Sequence, residues 1–118
     1  MKSKLKRLKG VPVYFLAAFF VAGAIGNILA LGDIPLDYER WGYPDWFHYV
    51  TGILELSTAI LLLRPSTRFW GAGLGFLIMG AACATVLLNG EVGRLAWPLV
   101  MLLGFAIVAW FNKPKMTG

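Results

Sequence analysis

The chain has 118 residues, of which 58% are hydrophobic and 14% are charged, and its formal net charge is +5 at pH 7. With a mean hydropathy of +0.69, this composition is too apolar for a soluble domain of this size and predicts a membrane protein. The charges lie in the tails and short connections rather than on a face with interleaved aromatic residues, which excludes a nucleic-acid-binding domain.

A basic tail precedes the first predicted helix. Residues 1–10 contain four lysines and one arginine, and an apolar run follows at residues 11–31. A basic start and an apolar stretch are also typical of a secretory signal, but the apolar part of a signal has only about 7 to 15 residues. We therefore expect residues 1–10 to be a cytoplasmic tail and residues 11–31 to form a retained spanning helix.

The next connection, residues 32–43, is the most polar part of the chain. Its glycines, proline and charged residues predict a loop with one short turn at the membrane interface. Pro44 suits the first position of a helix, where its missing N–H costs nothing, and Asp45 in the first turn complements the helix dipole. The second predicted spanning helix covers residues 44–63 and ends before the basic turn that contains Pro65.

Small residues dominate the third predicted helix, residues 69–88. Gly71 and Gly75 form a G-x-x-x-G pair, which permits the close approach of two helices in lipid. We interpret this pair as packing rather than as a dimer signal. After an N-G-E-V-G turn, the fourth predicted helix covers residues 95–111 and supplies packing and lipid contact.

The four apolar runs each have roughly the 20 residues that cross about 30 Å of hydrocarbon. The predicted fold is therefore an all-α integral membrane four-helix bundle over residues 11–112. Nine of the eleven lysines and arginines lie in the N-terminal tail, the turn after the second helix and the C-terminal tail at residues 113–118. Because cytoplasmic segments carry the excess of basic residues, both termini are predicted to face the cytoplasm, and the five tryptophans then fall in aromatic belts.

Glu55 lies near the middle of the second predicted helix, where an ionised carboxylate finds no water. At 100° per residue, one face of this helix collects its polar and small residues: His48, Thr51, Gly52, Glu55, Thr58, Ala59 and Leu62. Since intramembrane carboxylates turn toward a bundle interior or a wet cavity, we expect the other helices to gather around this face. We interpret Glu55 as a proton-handling or ligand-binding acid; the alternative is a structural carboxyl that fixes helix register.

Antiparallel helices bring further polar and soft side chains toward Glu55. With Glu55, these residues form the predicted ligand-binding set: Asn27, His48, Thr51, Phe76, Met79 and Cys83. The alternative for His48 is an interfacial polar tip, and for Asn27 it is interhelical hydrogen bonding. Thr51 has the alternative of a bond to a helix carbonyl, and Cys83 that of a small buried apolar residue.

One cysteine and one histidine limit the chemistry of the chain. They form no disulfide within the chain, no four-ligand zinc site and no bis-histidine haem site, although a His–Met pair or one histidine from each of two copies stays open. The sequence shows no phosphate-binding glycine loop and no Ser/His/Asp set. We therefore expect no metal, no covalently bound cofactor and no redox centre, and no catalytic residue is identifiable.

Several short motifs resemble the DoxX-like family of small bacterial membrane proteins. The motifs are G-Y-P-D-W-F at 42–47, G-I-L-E-L at 52–56, L-L-L at 61–63, W-G-A at 70–72 and M-G-A at 79–81. The resemblance implies a compact four-helix bundle in the bacterial cytoplasmic membrane, with Glu55 as the matching acidic position. Family members often carry a histidine after the threonine near the end of helix three, whereas Val86 follows Thr85 here, so no histidine-dependent activity is carried over.

The resemblance also implies a functional context. The family's namesake is associated with quinone-linked sulfur oxidation, and its relatives are linked to membrane redox complexes or to the assembly of membrane proteins. We therefore expect an accessory subunit of a membrane redox system, not an enzyme on its own, in which a pocket at Glu55 binds a quinone or a lipid. Two alternatives stay open: an assembly factor or scaffold that docks partner helices through Gly71 and Gly75, and a proton-shuttling isomerase-type enzyme that uses Glu55 and His48. A homodimer is also left open.

Overall fold

The structure is a computed structural model that describes residues 2–114, so Met1 and residues 115–118 of the predicted C-terminal tail lie outside the described residues. The described chain is helical and contains no strand, which confirms the all-α prediction. Its helices are α1 (Lys2–Ile28), α2 (Ile34–Arg40), α3 (Phe47–Leu63), α4 (Arg68–Leu88) and α5 (Ala96–Phe111). Contacts run from α1 to α3, α3 to α4, α4 to α5 and α5 to α1, so the four long helices close into a bundle, and α2 packs on α3.

Helix α1 begins earlier and ends earlier than the sequence suggests. It includes the stretch expected to be a tail, from Lys2 onward, because lysine, leucine and arginine are good helix formers. At its end the N–H of Leu31 donates to the carbonyl of Gly26 at 2.9 Å, and Ala30 adopts a left-handed φ of 53°. This is a Schellman motif, whose left-handed residue stops the helix, so α1 ends at Ile28 rather than at residue 31.

The connection expected to be a loop with a single turn contains the two-turn helix α2. Pro35 lies in its first turn, where a fixed φ suits the helix and a missing N–H costs nothing. The chain then forms a tight turn in which the carbonyl of Pro44 accepts the N–H of Phe47 at 3.0 Å. Helix α3 therefore begins at Phe47, and Asp45 precedes the helix instead of occupying its first turn.

The turn between α3 and α4 satisfies the last carbonyls of α3 with side chains. Arg64 is extended, as the residue before a proline must be. The Thr67 hydroxyl donates to the carbonyl of Leu61 at 2.9 Å, and Nε of Arg68 donates to the carbonyl of Leu62 at 2.8 Å. A cation at the C-terminal end of a helix also complements its dipole, so the basic residues of this turn have a structural role.

The G-x-x-x-G pair of α4 packs within the chain, as the sequence suggested. A Cβ atom on Gly71 would lie 2.8 Å from Cβ of Leu61 in α3. A Cβ atom on Gly75 would overlap the ring of Phe105 in α5. Both glycines are therefore covered by neighbouring helices, and the docking surface that the scaffold alternative places at Gly71 and Gly75 is already occupied.

The bundle has an apolar half and a polar half. The apolar core lies toward the α3–α4 turn and consists of Val13, Leu16, Ala17, Phe20, Ala59, Leu62, Ala72, Met101, Phe105 and Val108. Phe20 and Phe105 meet edge to face at its centre, with ring centroids 4.9 Å apart. Four buried polar side chains, Asn27, His48, Glu55 and Thr85, lie in the other half, toward α2, whereas the buried Thr58 is next to Ala59 of the apolar core.

Two helical stretches, Gly10–Ile28 and Pro65–Leu88, are long and apolar enough to cross a membrane by length and composition. The other two long helices are apolar but have 17 and 16 residues. These lengths correspond to about 26 Å and about 24 Å of helix. Large apolar side chains such as Ile60, Leu77 and Leu103 are exposed on the outside of the bundle.

Candidate ligand-binding site

The polar half of the bundle encloses a cavity of about 310 Å³. Its lining comes from α1, α2, the α2–α3 turn, α3 and α4, and consists of Asn27, Tyr38, Trp41, Tyr43, Phe47, Thr51, Leu54, Glu55, Ile78, Met79, Ala81, Ala82, Thr85 and Val86. Two of these lining residues, Leu54 of α3 and Ala81 of α4, are also exposed on the outer surface.

Glu55 faces the interior, as the periodicity of α3 predicts, and is only 7% exposed. Its Oε1 accepts a hydrogen bond from Nδ2 of Asn27 at 2.5 Å. Oε2 makes no hydrogen bond within the part of the chain that the structure describes, and it lies against Gly23, where a Cβ atom would overlap it. One carboxyl oxygen is therefore held by α1, while the other is available to a bound molecule.

Asn27 connects three elements through its side chain. Besides its bond to Glu55, Nδ2 donates to the carbonyl of Gly23 at 3.0 Å, and Oδ1 accepts the hydroxyl of Tyr38 at 3.0 Å. Burial raises the pKa of Tyr38, so this phenol keeps the proton that it donates. The amide has no proton left for a ligand.

Tyr43 and Thr85 form a second polar position on the α4 side of the cavity. Their hydroxyl oxygens lie 2.6 Å apart, and the Thr85 hydroxyl also donates to the carbonyl of Ala81 at 2.8 Å. Because a threonine hydroxyl has one proton, Tyr43 is the donor in the shorter bond. No pattern in the sequence indicated that Tyr43 would reach α4.

Four of the remaining predicted residues lie partly inside and partly outside the cavity lining. Thr51 lines the cavity, and its hydroxyl donates to the carbonyl of Phe47 at 3.3 Å, which is the bond to a helix carbonyl named as its alternative. Met79 also lines the cavity. Phe76 is 40% exposed on the outer surface, and Cys83 is buried but is not part of the lining.

His48 is buried beside the cavity rather than in its wall. Its Nδ1 lies 2.7 Å from the backbone carbonyl of Asn27. Because a carbonyl only accepts, Nδ1 carries the proton, and His48 satisfies one of the last carbonyls of α1. His48 instead lines a smaller recess of about 170 Å³ with Glu39 and Asp45. His48 does not belong to the lining that contains Glu55, so the arrangement does not support an enzyme in which these two groups flank one substrate.

A cover segment, residues 34–43, closes the end of the cavity. It is held to the α4–α5 turn by a charge ring of four residues, Asp37, Arg40, Glu91 and Arg94, in which each arginine pairs with both carboxylates at distances from 2.7 to 3.2 Å. Trp41, which lines the cavity, donates from Nε1 to Oε2 of Glu91 at 2.5 Å. The two arginines also lie over its ring, at 5.4 and 5.9 Å from the centroid.

The charge ring stabilises the ionised form of its carboxylates. Partial burial opposes the ionisation of Asp37, but hydrogen bonds from Arg94 and Arg40 outweigh it and lower its pKa. The hydrogen bond from Trp41, with those from the two arginines, lowers the pKa of Glu91. The cover segment is therefore held in place by charged groups at neutral pH.

Sequence reasoning missed most of the aromatic wall of the cavity. The wall contains Tyr38, Trp41, Tyr43 and Phe47. The sequence predicts an interfacial loop and the start of a helix for the stretch in which these four residues lie. Their rings contact one another, with Tyr43 and Phe47 stacked at 4.7 Å between centroids. The available signal was the density of aromatic residues between positions 38 and 47.

Within residues 2–114, no group of three or more His, Cys, Asp or Glu residues could hold a metal ion.

Comparison with known proteins gives one family and one curated relative. The sequence model of the DoxX-like family matches residues 11–109. The uncharacterized protein YdgD of Bacillus subtilis (strain 168) is 35% identical over 72 residues, which cover 56% of this chain and 60% of that protein. The match therefore spans less than two thirds of the relative's length. No solved structure matches.

Proposed function

The chain belongs to the DoxX-like family, and from that premise we propose that it is a four-span membrane protein that binds a small, mostly apolar molecule beside Glu55. The single observation that carries the binding proposal is the carboxyl of Glu55, which lines a cavity whose other lining groups are largely apolar and has a hydrogen-bond partner among the described residues for only one of its two oxygens. A buried carboxyl with a free oxygen is a strong hydrogen-bonding group for a guest in low-dielectric surroundings.

Four membrane crossings are supported by the outside of the bundle. Helices α3 and α5 are antiparallel neighbours of the two longer helices, and their lengths of about 26 Å and about 24 Å are adequate if the membrane thins slightly or flanking residues reach the interface. The exposed apolar side chains of all four helices would face acyl chains. We place both termini in the cytoplasm of a bacterium, because Arg40 and Arg94 are the only basic residues at the other end.

The size of the cavity favours a ring over a whole lipid. Its volume of about 310 Å³ lies at the lower end of the roughly 300–1,000 Å³ of typical ligand pockets. Such a volume admits one aromatic ring with a short substituent, as in the headgroup of a quinone, whereas a complete phospholipid would have to leave its chains outside. Because Leu54 and Ala81 line the cavity and are also exposed, we infer that a ligand enters between α3 and α4 from the bilayer and keeps its tail in lipid.

An accessory role follows from the residues available. The chain has one histidine and one cysteine, and neither lines the cavity. We therefore propose that this protein binds and positions the molecule and that a membrane partner carries out electron transfer.

The test is to identify what the protein retains from its own membrane. Full-length protein is purified in mild detergent, extracted and analysed by mass spectrometry, next to Ala82→Trp, which fills the cavity, and Ala84→Trp, a matched change on the same helix outside the lining. We expect a ring compound in stoichiometric amount with the wild type and Ala84→Trp, and its loss with Ala82→Trp. Equal retention by all three proteins, or none by the wild type, would reject the proposal.

A further inference from the structure

The hydrogen-bond donors of the cavity wall are already committed within the protein. Six polar side chains of the lining besides Glu55 carry O–H or N–H groups with partners: Asn27, Tyr38, Trp41, Tyr43, Thr51 and Thr85. Each of their protons is donated to another protein group, as described above. Thr51 also donates, through the longest of these bonds at 3.3 Å.

What remains for a ligand is a set of acceptors. The hydroxyl oxygens of Tyr38, Tyr43 and Thr85 each keep a free lone pair, and so does Oε2 of Glu55. A carboxylate accepts only, whereas a carboxylic acid has one proton to donate. The cavity therefore offers several acceptors and at most one strong donor, which is the proton of Glu55 when the acid is neutral.

We propose that this cavity selects molecules that donate hydrogen bonds, namely a one-ring phenol or a similar hydroxylated aromatic, over ethers and ketones of the same shape. This inference rests on the proposed function and specifies its ligand class. The aromatic class follows from the ring-lined wall formed by Tyr38, Trp41, Tyr43 and Phe47. For a quinone and its quinol, the hydroxyl-bearing quinol is the tighter ligand.

A ketone binds this cavity in a different way, because it accepts and cannot donate. It needs the single proton of neutral Glu55, so its binding should weaken as pH rises and the carboxyl ionises. The ionisable groups that line the cavity around Glu55 are Tyr38 from α2 and Tyr43 from the α2–α3 turn, and α1 and α4 contribute none to the lining. His48, on Glu55's own helix, lies outside the lining and is bonded to the backbone carbonyl of Asn27.

The direct test compares two isomers of the same formula, para-ethylphenol and para-methylanisole, together with acetophenone. Binding to the full-length protein in nanodiscs is measured by calorimetry, and Ala82→Trp, with its filled cavity, corrects for partition into lipid. We expect the phenol to bind at least about tenfold more tightly than the ether, which is about 1.4 kcal/mol. Acetophenone binding should fall as the pH is raised and Glu55 ionises, whereas phenol binding should not fall over the same range, because an ionised carboxylate still accepts the phenol proton.

Two variants identify the groups responsible. Glu55→Gln introduces an amide with two permanent donors, so it should raise the affinity for acetophenone relative to the phenol and remove the pH dependence. Ser57→Ala is the control: it removes a hydroxyl of the same helix that lies outside the lining and donates to the carbonyl of Ile53 at 2.8 Å, so the ratio of the two affinities should stay within about twofold. Equal or tighter binding of the ether by the wild type would overturn this inference while leaving the binding proposal intact. If no probe binds the wild type better than Ala82→Trp, the proposed function fails, and this inference fails with it.

Discussion

Asn27 and Glu55 are 28 residues apart in the chain, yet the amide of Asn27 donates to the carboxyl of Glu55 across 2.5 Å. The bond joins α1 to α3 at the point where the apolar core ends and the cavity begins. It also orients Glu55, because only one of its two oxygens is used. The cavity therefore depends on a pair of side chains that belong to two different helices.

Replacing Asn27 should destabilise the bundle through its partner. Asn27→Leu leaves the buried carboxyl of Glu55 without its donor, and we expect the free energy of unfolding in detergent to fall by about 1–3 kcal/mol. The double variant Asn27→Leu, Glu55→Leu removes both polar partners and should recover most of that loss. A single variant as stable as the wild type would show that the bond contributes nothing.

Gly23 is predicted to matter for binding more than for folding. A Cβ atom at this position would overlap Oε2 of Glu55, so Gly23→Ala must displace the carboxyl into the cavity. We expect retention of the copurifying ring compound to fall at least about tenfold, which corresponds to about 1.4 kcal/mol. Gly26→Ala is the control on the same helix, because its added Cβ atom meets only the flexible end of Ile34 at 3.3 Å. Equal retention by both variants would contradict the placement of Glu55.

Gly75 provides a test of packing within a single chain. Its Cβ position is filled by the ring of Phe105, which is completely buried, so Gly75→Ala overpacks the core and should cost about 1–3 kcal/mol of unfolding free energy. Gly73, two residues away on the same helix, has open space around its Cβ position. Gly73→Ala should therefore be neutral or slightly stabilising. Thermal unfolding of the detergent-solubilised protein compares the two variants, and similar midpoints would support a docking role for Gly75.

The charge ring should control how open the cavity is. Glu91→Gln weakens two ion pairs and the bond from Trp41, so the cover segment should move away more often. In a variant with Trp41 as its only tryptophan, the addition of Glu91→Gln should make acrylamide quenching of the Trp41 fluorescence at least about twofold more efficient. Exposed ion pairs are weak individually, and those of the charge ring act as a network. Asp33→Asn is the control. It also removes one negative charge, at the residue before the cover segment and outside the charge ring, and it should leave the quenching of Trp41 unchanged.

Acid should open the same segment. The pKa values of Asp37 and Glu91 are lowered in the folded protein, so their stabilising effect is complete above the ordinary carboxyl pKa of about 4 and is lost as pH falls below it. Fluorescence of Trp41 in the single-tryptophan protein should therefore report an opening below about pH 4 that reverses on neutralisation. In Glu91→Gln the acid transition should be much smaller. An opening centred near pH 6 or above would assign it to other groups.

The sequence determined the helices and the direction of the polar face. Four apolar runs and a helical period were enough to predict an all-α chain and to turn Glu55 inward. The polar side chains on one face of an apolar helix find hydrogen-bond partners only if that face is turned toward the other helices. It also identified the tight pair Gly71 and Gly75, since small residues in lipid-like helices signal close packing. These predictions rest on local composition and spacing, which do not depend on how the helices pack against one another.

Only the tertiary structure decided which residues surround Glu55. Asn27 and Thr51 meet the cavity, whereas His48 bonds to a helix carbonyl behind it, although both Thr51 and His48 lie on the predicted face of α3. Tyr38 and Tyr43 reach the cavity because α2 folds over the end of the bundle and is held there by the charge ring. Those contacts join residues up to 57 positions apart, and no periodicity within one helix encodes a distance between two elements that meet only after the chain has folded.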